Sequence, residues 1–441
     1  MKTKLLILLF IFPGYFGLSQ VWVSAGGGTD GDVNTLQAYK GKLYAGGYFT
    51  NAGYGTANYI AAWNDTLWDT LAGGVNSSVK AMSIYKNKLI VGGGFTAAVS
   101  IPASNIASWD GTTWGTLAGG VTTGAAVAAL ASDSDYLYAG GGFMAMDGVP
   151  ANFIAQWNGT SWSALDIGLD NAVYAITFYG GELYVGGAFT SAGGISANYI
   201  AKWNGTAWSA VGSGTSHNVY ALEVYGGELY AGGFFVTAGG ITVNQIAKWN
   251  GITWAIVGLG TNADVNTLKT IGGNLYVGGN FTMAGSLYSP FIAKWDGASW
   301  SDAGSVAGSQ LNLSLNDIEE YNNHIYCGGR FDQYALDTSI NHITKWSVPL
   351  TGIETFSAKT DKIKVFPNPS NGSFTVELNL LKSKPVNIII LNLLGSEVYS
   401  ADYYLPEGIT QLPIKKQNLP DGLYMLKISD EQPTLLIIAF N

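Results

Sequence analysis

Several residue types are nearly absent. The chain has one cysteine, one arginine and three histidines in 441 residues, and only 12% of its residues are charged. A single thiol, Cys327, permits no intrachain disulfide, so stability must come from burial. It takes the repeat position that Ala45, Val185 and Val277 fill elsewhere, the place of a small core hydrophobe. With Arg330 as the sole arginine, a site that clamps anions with several guanidiniums is excluded. Residues 21–349 carry eleven Lys/Arg against twenty-one Asp/Glu, which leaves no basic stripe for nucleic acid. His217, His324 and His342 show no metal-ligand spacing. The one long apolar run, residues 5–16, is too short to cross a bilayer, and no transmembrane segment is expected.

Tryptophan and glycine are plentiful, and both keep to a ruler. Trp, four residues, Trp is written six times: Trp63/Trp68, Trp109/Trp114, Trp157/Trp162, Trp203/Trp208, Trp249/Trp254 and Trp295/Trp300. Trp22 lacks a first partner and Trp346 a second, as if one unit were shared between the ends of the array. Seven Gly-Gly-x-Phe runs keep step, ending at Phe49, Phe95, Phe143, Phe189, Phe235, Phe281 and Phe331. Repeats of this length mark a β-propeller, and closing the last blade with an N-terminal strand removes the exposed edge. The fold expected is all-β: a seven-bladed propeller over 20–346, then a small immunoglobulin-like β-sandwich.

Units start at Val33, Val79, Val127, Val173, Val219, Val265 and Leu315, each sixteen positions before its phenylalanine. Within a unit, VYALEVY (219–225) and ELYAGGFF (228–235) meet at Gly226-Gly227, and QIAKWN (245–250) turns at Gly251 toward Trp254. That predicts four strands. The gap from second Trp to next unit grows from eleven residues to thirteen after Trp114 and fifteen after Trp300. In a four-stranded meander these crossings and the second-to-third loops emerge on one face. Variable loops on a rigid scaffold are where binding usually resides.

On that face the polar residues at or beside unit starts are the candidate ligand contacts: Asp32, Asn34, His217, Asn218, Asp264, Asn266 and Asn316. Turn capping is the competing reading for such Asn and Asp. The residues just before each start (Asp32, Ser78, Ala126, Ala172, Asn218, Asp264, Ser314) differ modestly, and no carboxylate pair stands out for catalysis. No catalytic residue and no metal ligand is therefore assigned, and no cofactor is expected. Calcium is the one ion the sequence keeps open, through Asp30-Gly31-Asp32-Val33-Asn34 and Asp133-Ser134-Asp135, although neither follows the twelve-residue calcium loop.

At the N-terminus, Lys2 and Lys4 precede the apolar run, and Gly17 and Ser19 supply small residues before Gln20. Residues 1–19 read as a signal peptide. Past Trp346 the ruler stops, residues 347–361 read as a linker, and seven short alternating runs follow within 362–441, a sandwich pattern.

Val365-Phe366-Pro367-Asn368-Pro369 with Gly372, then Leu394-Gly395, then Gly422-Leu423-Tyr424 resembles the type A C-terminal sorting domain of the Bacteroidota type IX (Por) secretion system. Pro367, Asn368, Pro369, Gly372, Gly395, Gly422 and Tyr424 carry the likeness. One departure is the last strand, Leu435 to Asn441, which lacks the lysine that members commonly carry there. The resemblance implies export through the periplasm, the type IX machinery as partner, and a secreted or outer-membrane surface location. The repeats in turn are similar to kelch-type and fungal cortical-marker-like propellers of secreted bacterial proteins, a likeness nearly silent on activity. Together these features predict a monomeric, non-catalytic propeller binding a glycan or protein. The alternative is a glycan-active hydrolase or lyase using carboxylates on the loop face.

Overall fold

Two tight turns and one longer loop divide each repeat into four short β-prone runs, and these form a four-stranded antiparallel meander. The computed structural model describes residues 21–303, 314–331 and 341–347. In the C-terminal region it describes 364–366, 373–380, 382–391, 397–415, 422–429 and 434–440. The expected leader, 1–19, lies outside these residues, as does the expected linker beyond Ser347. Contacts divide the chain into two units, Met1–Pro349 and Leu350–Asn441.

In the first unit, seven sheets hold their strands in meander order; blades 1–7 are numbered by their first strands, which contain the seven unit starts. Blade 1, for example, runs Asp32–Tyr39, Lys42–Tyr48, Ile60–Trp63 and Trp68–Asp69. Blade 7 takes Ser314–Tyr321, His324–Arg330 and Ile343–Ser347 from its own end of the array and Val21–Ser24 from the other. Val21–Ser24 pairs antiparallel with Ile343–Ser347 and sets Trp22 opposite Trp346, their rings 4.7 Å apart. The split pair thus re-forms across the closure, and the propeller is seven-bladed.

The Gly-Gly-x-Phe motif has a packing cause. A Cβ on the first glycine would fall 2.2–2.6 Å from a branched side chain of the next blade, from Val79 against Gly46 round to Val33 against Gly328. A Cβ on the second would lie 2.0–2.2 Å from the carbonyl oxygen just before the unit start. Any side chain there would push the blades apart, so both positions are closed to all but glycine. The motif's phenylalanines are buried in all seven blades. Each fully buried ring stabilises by about 2–3 kcal/mol relative to exposure. The second Trp of each complete pair donates its Nε1–H to a carbonyl of the preceding crossing loop, from Ala25 for Trp68 to Val257 for Trp300, at 2.9–3.3 Å.

In the second unit, seven strands form two antiparallel sheets. Lys364–Phe366, Ser373–Leu380 and Gly408–Lys415 make one; Glu397–Leu405, Lys384–Leu391, Gly422–Ser429 and Thr434–Phe440 make the other. Phe374, Val376 and Leu378 alternate inward from one sheet against Val386, Ile388 and Ile390 of the other. The fourth strand in sequence pairs with the third, whereas a constant-type immunoglobulin sandwich places it in the sheet of the first two.

Candidate functional site

Each first strand carries a register shift at its unit start, between Val33 and Thr35 in blade 1 and between Leu315 and Asp317 in blade 7. The unpaired residue of the bulge turns toward the next blade. Three candidate contacts sit there. Asn34 donates its amide N–H to the Val79 carbonyl at 2.8 Å, Asn266 to Leu315 at 3.1 Å, and Asn316 to Val33 at 3.0 Å. These amides brace blade 1 to 2, blade 6 to 7, and blade 7 to 1. At the same position other blades have Lys80, Ala128, Tyr174 and Tyr220.

Two and four residues past each start, side chains of adjacent first strands meet around the axis. On blades 2, 3 and 4 these are Ala81 and Ser83, Ala129 and Ala131, Ala175 and Thr177. On blades 5, 6 and 7 they include Glu223, Thr267, Lys269, Asp317 and Glu319. Sequence comparison at the unit starts alone passed over these charges. Lys269 forms an ion pair with Glu319. Asp317 accepts the Leu36 N–H at 2.7 Å and the Ile318 N–H at 2.8 Å, and Glu223 accepts the Thr270 N–H at 2.9 Å. Burial raises the Asp317 carboxyl to about 6, its hydrogen bonds and Lys269 only partly opposing. Burial also raises Glu223. Lys269 keeps 34% of its side-chain surface accessible although it lies deep in the ring, as befits a group lining a channel.

At the rim, one residue per blade adopts a left-handed backbone: Tyr59, Asn105, Phe153, Tyr199, Gln245, Phe291 and His342, with φ between 57° and 69°. Each donates its N–H to the motif phenylalanine carbonyl at 2.6–2.9 Å and accepts the second motif glycine's N–H at 2.9–3.1 Å. Two backbone bonds hold a conformation that bulky residues avoid. The ring thus presents seven side chains of different chemistry on one fixed geometry. Tyr199 stacks on His217 of the following crossing, 5.6 Å between centroids at 6°, and His217 meets Phe234 edge-on at 4.9 Å.

The remaining candidates join this rim. Asn218 donates its backbone N–H to His217 Nδ1 at 2.9 Å. Asp264 lies within electrostatic reach of His217; burial raises its carboxyl, partly offset by the Asn280 side chain. Asp32 stands apart, over the closure, 3.6 Å from His342 Nδ1. The candidates therefore form an arc over blades 5, 6, 7 and 1 rather than one cluster. Of the calcium candidates, Asp30 caps the N–H groups of Thr50 and Asn51, and Asp133 caps those of Asp135 and Tyr136, at 2.7–2.8 Å. Partial burial raises Asp30, but its four partners outweigh that and hold it at about 2. Among the described residues no three His, Cys, Asp or Glu side chains gather as a metal set.

The two faces of the disc differ in chemistry. The loop face exposes Tyr48, Tyr54, Val99, Ile167, Phe234, Leu259 and Tyr288. Its described cations are Lys80 and Arg330. The opposite, turn face carries Lys40, Lys42, Lys86 and Lys88, with Lys202 and Lys248 paired to Glu182 and Glu228 at 2.7 Å.

Of the sorting-motif residues, Gly422 and Tyr424 lie in the strand Gly422–Ser429, while Pro367, Asn368, Pro369, Gly372 and Gly395 fall outside the described residues. Residues 364–437 match the family model of the secretion system C-terminal sorting domain. That domain marks the chain for export, to the cell surface or the medium. Among the described residues no helix is long and apolar enough to cross a membrane. No curated protein matches the chain. Among solved structures it is similar to a glycoside hydrolase family 43 arabinoxylan arabinofuranohydrolase from Bacillus subtilis in complex with cellotetraose. Identity is 12% over 94% of this chain and 95% of that one, with a TM-score of 0.29, too low to carry an argument about activity.

Proposed function

We propose that the propeller is a non-catalytic binding module that holds a glycan or protein on its loop face. Its C-terminal domain, 362–441, carries it through the type IX secretion machinery to the cell surface or medium. The observation behind the binding reading is the contrast between the faces. Apolar side chains that no core needs stand exposed on hydrogen-bonded loops, while the cations collect opposite. Match of the sorting-domain model over 364–437 supports the route. A glycan-active enzyme is the second reading, favoured by the juxtaposition of Asp32 and His342 on the same face; release of reducing sugar from polysaccharide by the purified protein separates the two. Export is tested by removing residues 362–441 and fractionating a Bacteroidota host that expresses both forms. The shortened chain is expected in the periplasm and the full chain outside; equal appearance of both outside the cell contradicts the proposal.

A further inference from the structure

Resting on the reading that the loop face binds, we infer that the corner shared by blades 4, 5 and 6 is a subsite for a neutral sugar ring. In it Phe234 serves as platform, His217 as donor and Asp264 as acceptor. Phe234 is 50% exposed. Folding does not require an aromatic there, because blades 2, 3, 4, 6 and 7 place Gly94, Gly142, Ala188, Asn280 and Arg330 at the same position. The exposed ring is nevertheless fixed, since it abuts His217, which lies flat on Tyr199, which is pinned by its left-handed backbone. A rigid apolar plane loses little entropy when a ligand stacks on it.

Polar groups complete the corner. His217 Nδ1 accepts the Asn218 N–H, so the neutral imidazole carries its proton on Nε2, where it can donate. Asp264, tied to Asn280 and coupled to His217, is half-buried and can accept from two hydroxyls. One apolar plane flanked by a donor and a carboxylate matches a pyranose or furanose, whose C–H face is apolar and whose edge carries hydroxyls. Beside the platform, blade 4 contributes only Ala172 and Ala188 at the rim, which leaves room for a ring. Charge narrows the class. The face carries Asp30, Asp32, Asp147, Asp166, Asp170 and Asp264 against Lys80 and Arg330, which disfavours sulfated or uronic-acid polymers. A protein partner needs a continuous patch on the order of 1,000 Å² or more, whereas the exposed rings here stand singly on separate loops.

The test is calorimetric titration of the full chain with neutral β-1,4-linked tetrasaccharides of glucose, xylose and mannose at millimolar concentration. At least one should bind. Phe234→Ala and Asp264→Asn should each weaken it ~10-fold or more. Phe234→Tyr should retain it, and Tyr48→Ala, on blade 1, should leave it unchanged. Unaltered melting of the variants shows that loss is not unfolding. If no tetrasaccharide binds, the sugar inference falls while a protein ligand for the loop face survives. If Tyr48→Ala abolishes binding and Phe234→Ala does not, the corner is wrong and the face is right. Loss only on turn-face substitution, such as Ile252→Ala, overturns both.

Discussion

Blades 2, 3 and 4 and blades 5, 6, 7 and 1 share strand order, motif glycines and buried phenylalanines, yet their inner surfaces differ. The first group lines axis and rim with Ala, Ser, Thr and Gly. The second carries Glu223, Lys269, Asp317 and Glu319 inside, Asn266 and Asn316 as inter-blade braces, and Asp264, Phe234 and His342 at the rim. Positions that repeat build the ring, and positions that depart from the repeat hold it shut or face outward. The closure between blades 7 and 1 shows this most clearly. At the turn between third and fourth strands five blades have Gly111, Gly159, Gly205, Gly251 and Gly297, while blade 1 has Asp65 at φ 73°. Its carboxylate accepts from Asn322 at 2.5 Å, Tyr326 at 2.6 Å and Lys345 at 3.1 Å, all on blade 7.

If the closure is where the ring is most exposed to failure, the largest effect comes from removing its strand. Deleting residues 21–30 strips Trp22 from Trp346 and bares the edge of Ile343–Ser347. Loss of a buried Trp alone costs ~3–5 kcal/mol. A lower melting temperature and aggregates on size exclusion are expected; unchanged melting without aggregation would show that the ring closes without this strand.

A smaller effect tests the channel charges of the polar arc. The folded state raises Asp317 from 3.8 to about 6, so it binds that proton more tightly than the unfolded chain does. Its contribution is complete below the ordinary carboxyl value and is lost as pH rises through about 6, a difference of about 2–3 kcal/mol. Relative to Asp317→Asn, the wild-type chain should therefore lose stability between pH 4 and 7 in urea titrations. Parallel curves would mean that the carboxyl is solvated as in the unfolded chain.

The smallest effect separates the closure from an ordinary blade interface. Asp65→Gly relieves a left-handed backbone but removes three partners, with an expected net cost of ~1–2 kcal/mol. A neutral or stabilising result, read from the denaturation midpoint, would reduce Asp65 to a strained turn residue.

Much of the scaffold was legible because packing imposes a residue type. Glycine at Gly46 and Gly47 has no substitute, the tryptophan spacing records cross-strand pairs, and alternation in Phe374–Leu378 records a two-sided sheet. The candidate site was less legible. The bulge that turns Asn34 and Asn266 toward the next blade is a backbone register shift, and Lys80, Ala128 and Tyr174 occupy it equally well, so composition carries no trace of it. The left-handed ring is invisible for the same reason: backbone bonds hold it, and its seven residues share no chemistry. By contrast, Lys269, Asp317 and Asp65 were readable as departures from their repeat positions. Comparison confined to the residues around the unit starts missed them.

Closing a ring with its own first strand also sets a clock. Val23 receives a hydrogen bond from Thr344, 321 residues away, so the first strand ordered in the sequence is the last to find its partner. Contacts of such separation form slowly, after the loop between them has condensed. Until then Val21–Ser24 and Ile343–Ser347 are both bare edges, and the chain is at its most vulnerable to pairing with another copy. The segment immediately after Ser347 leads into the sorting domain, so the exported molecule acquires its address only once the last edge of the ring has been made.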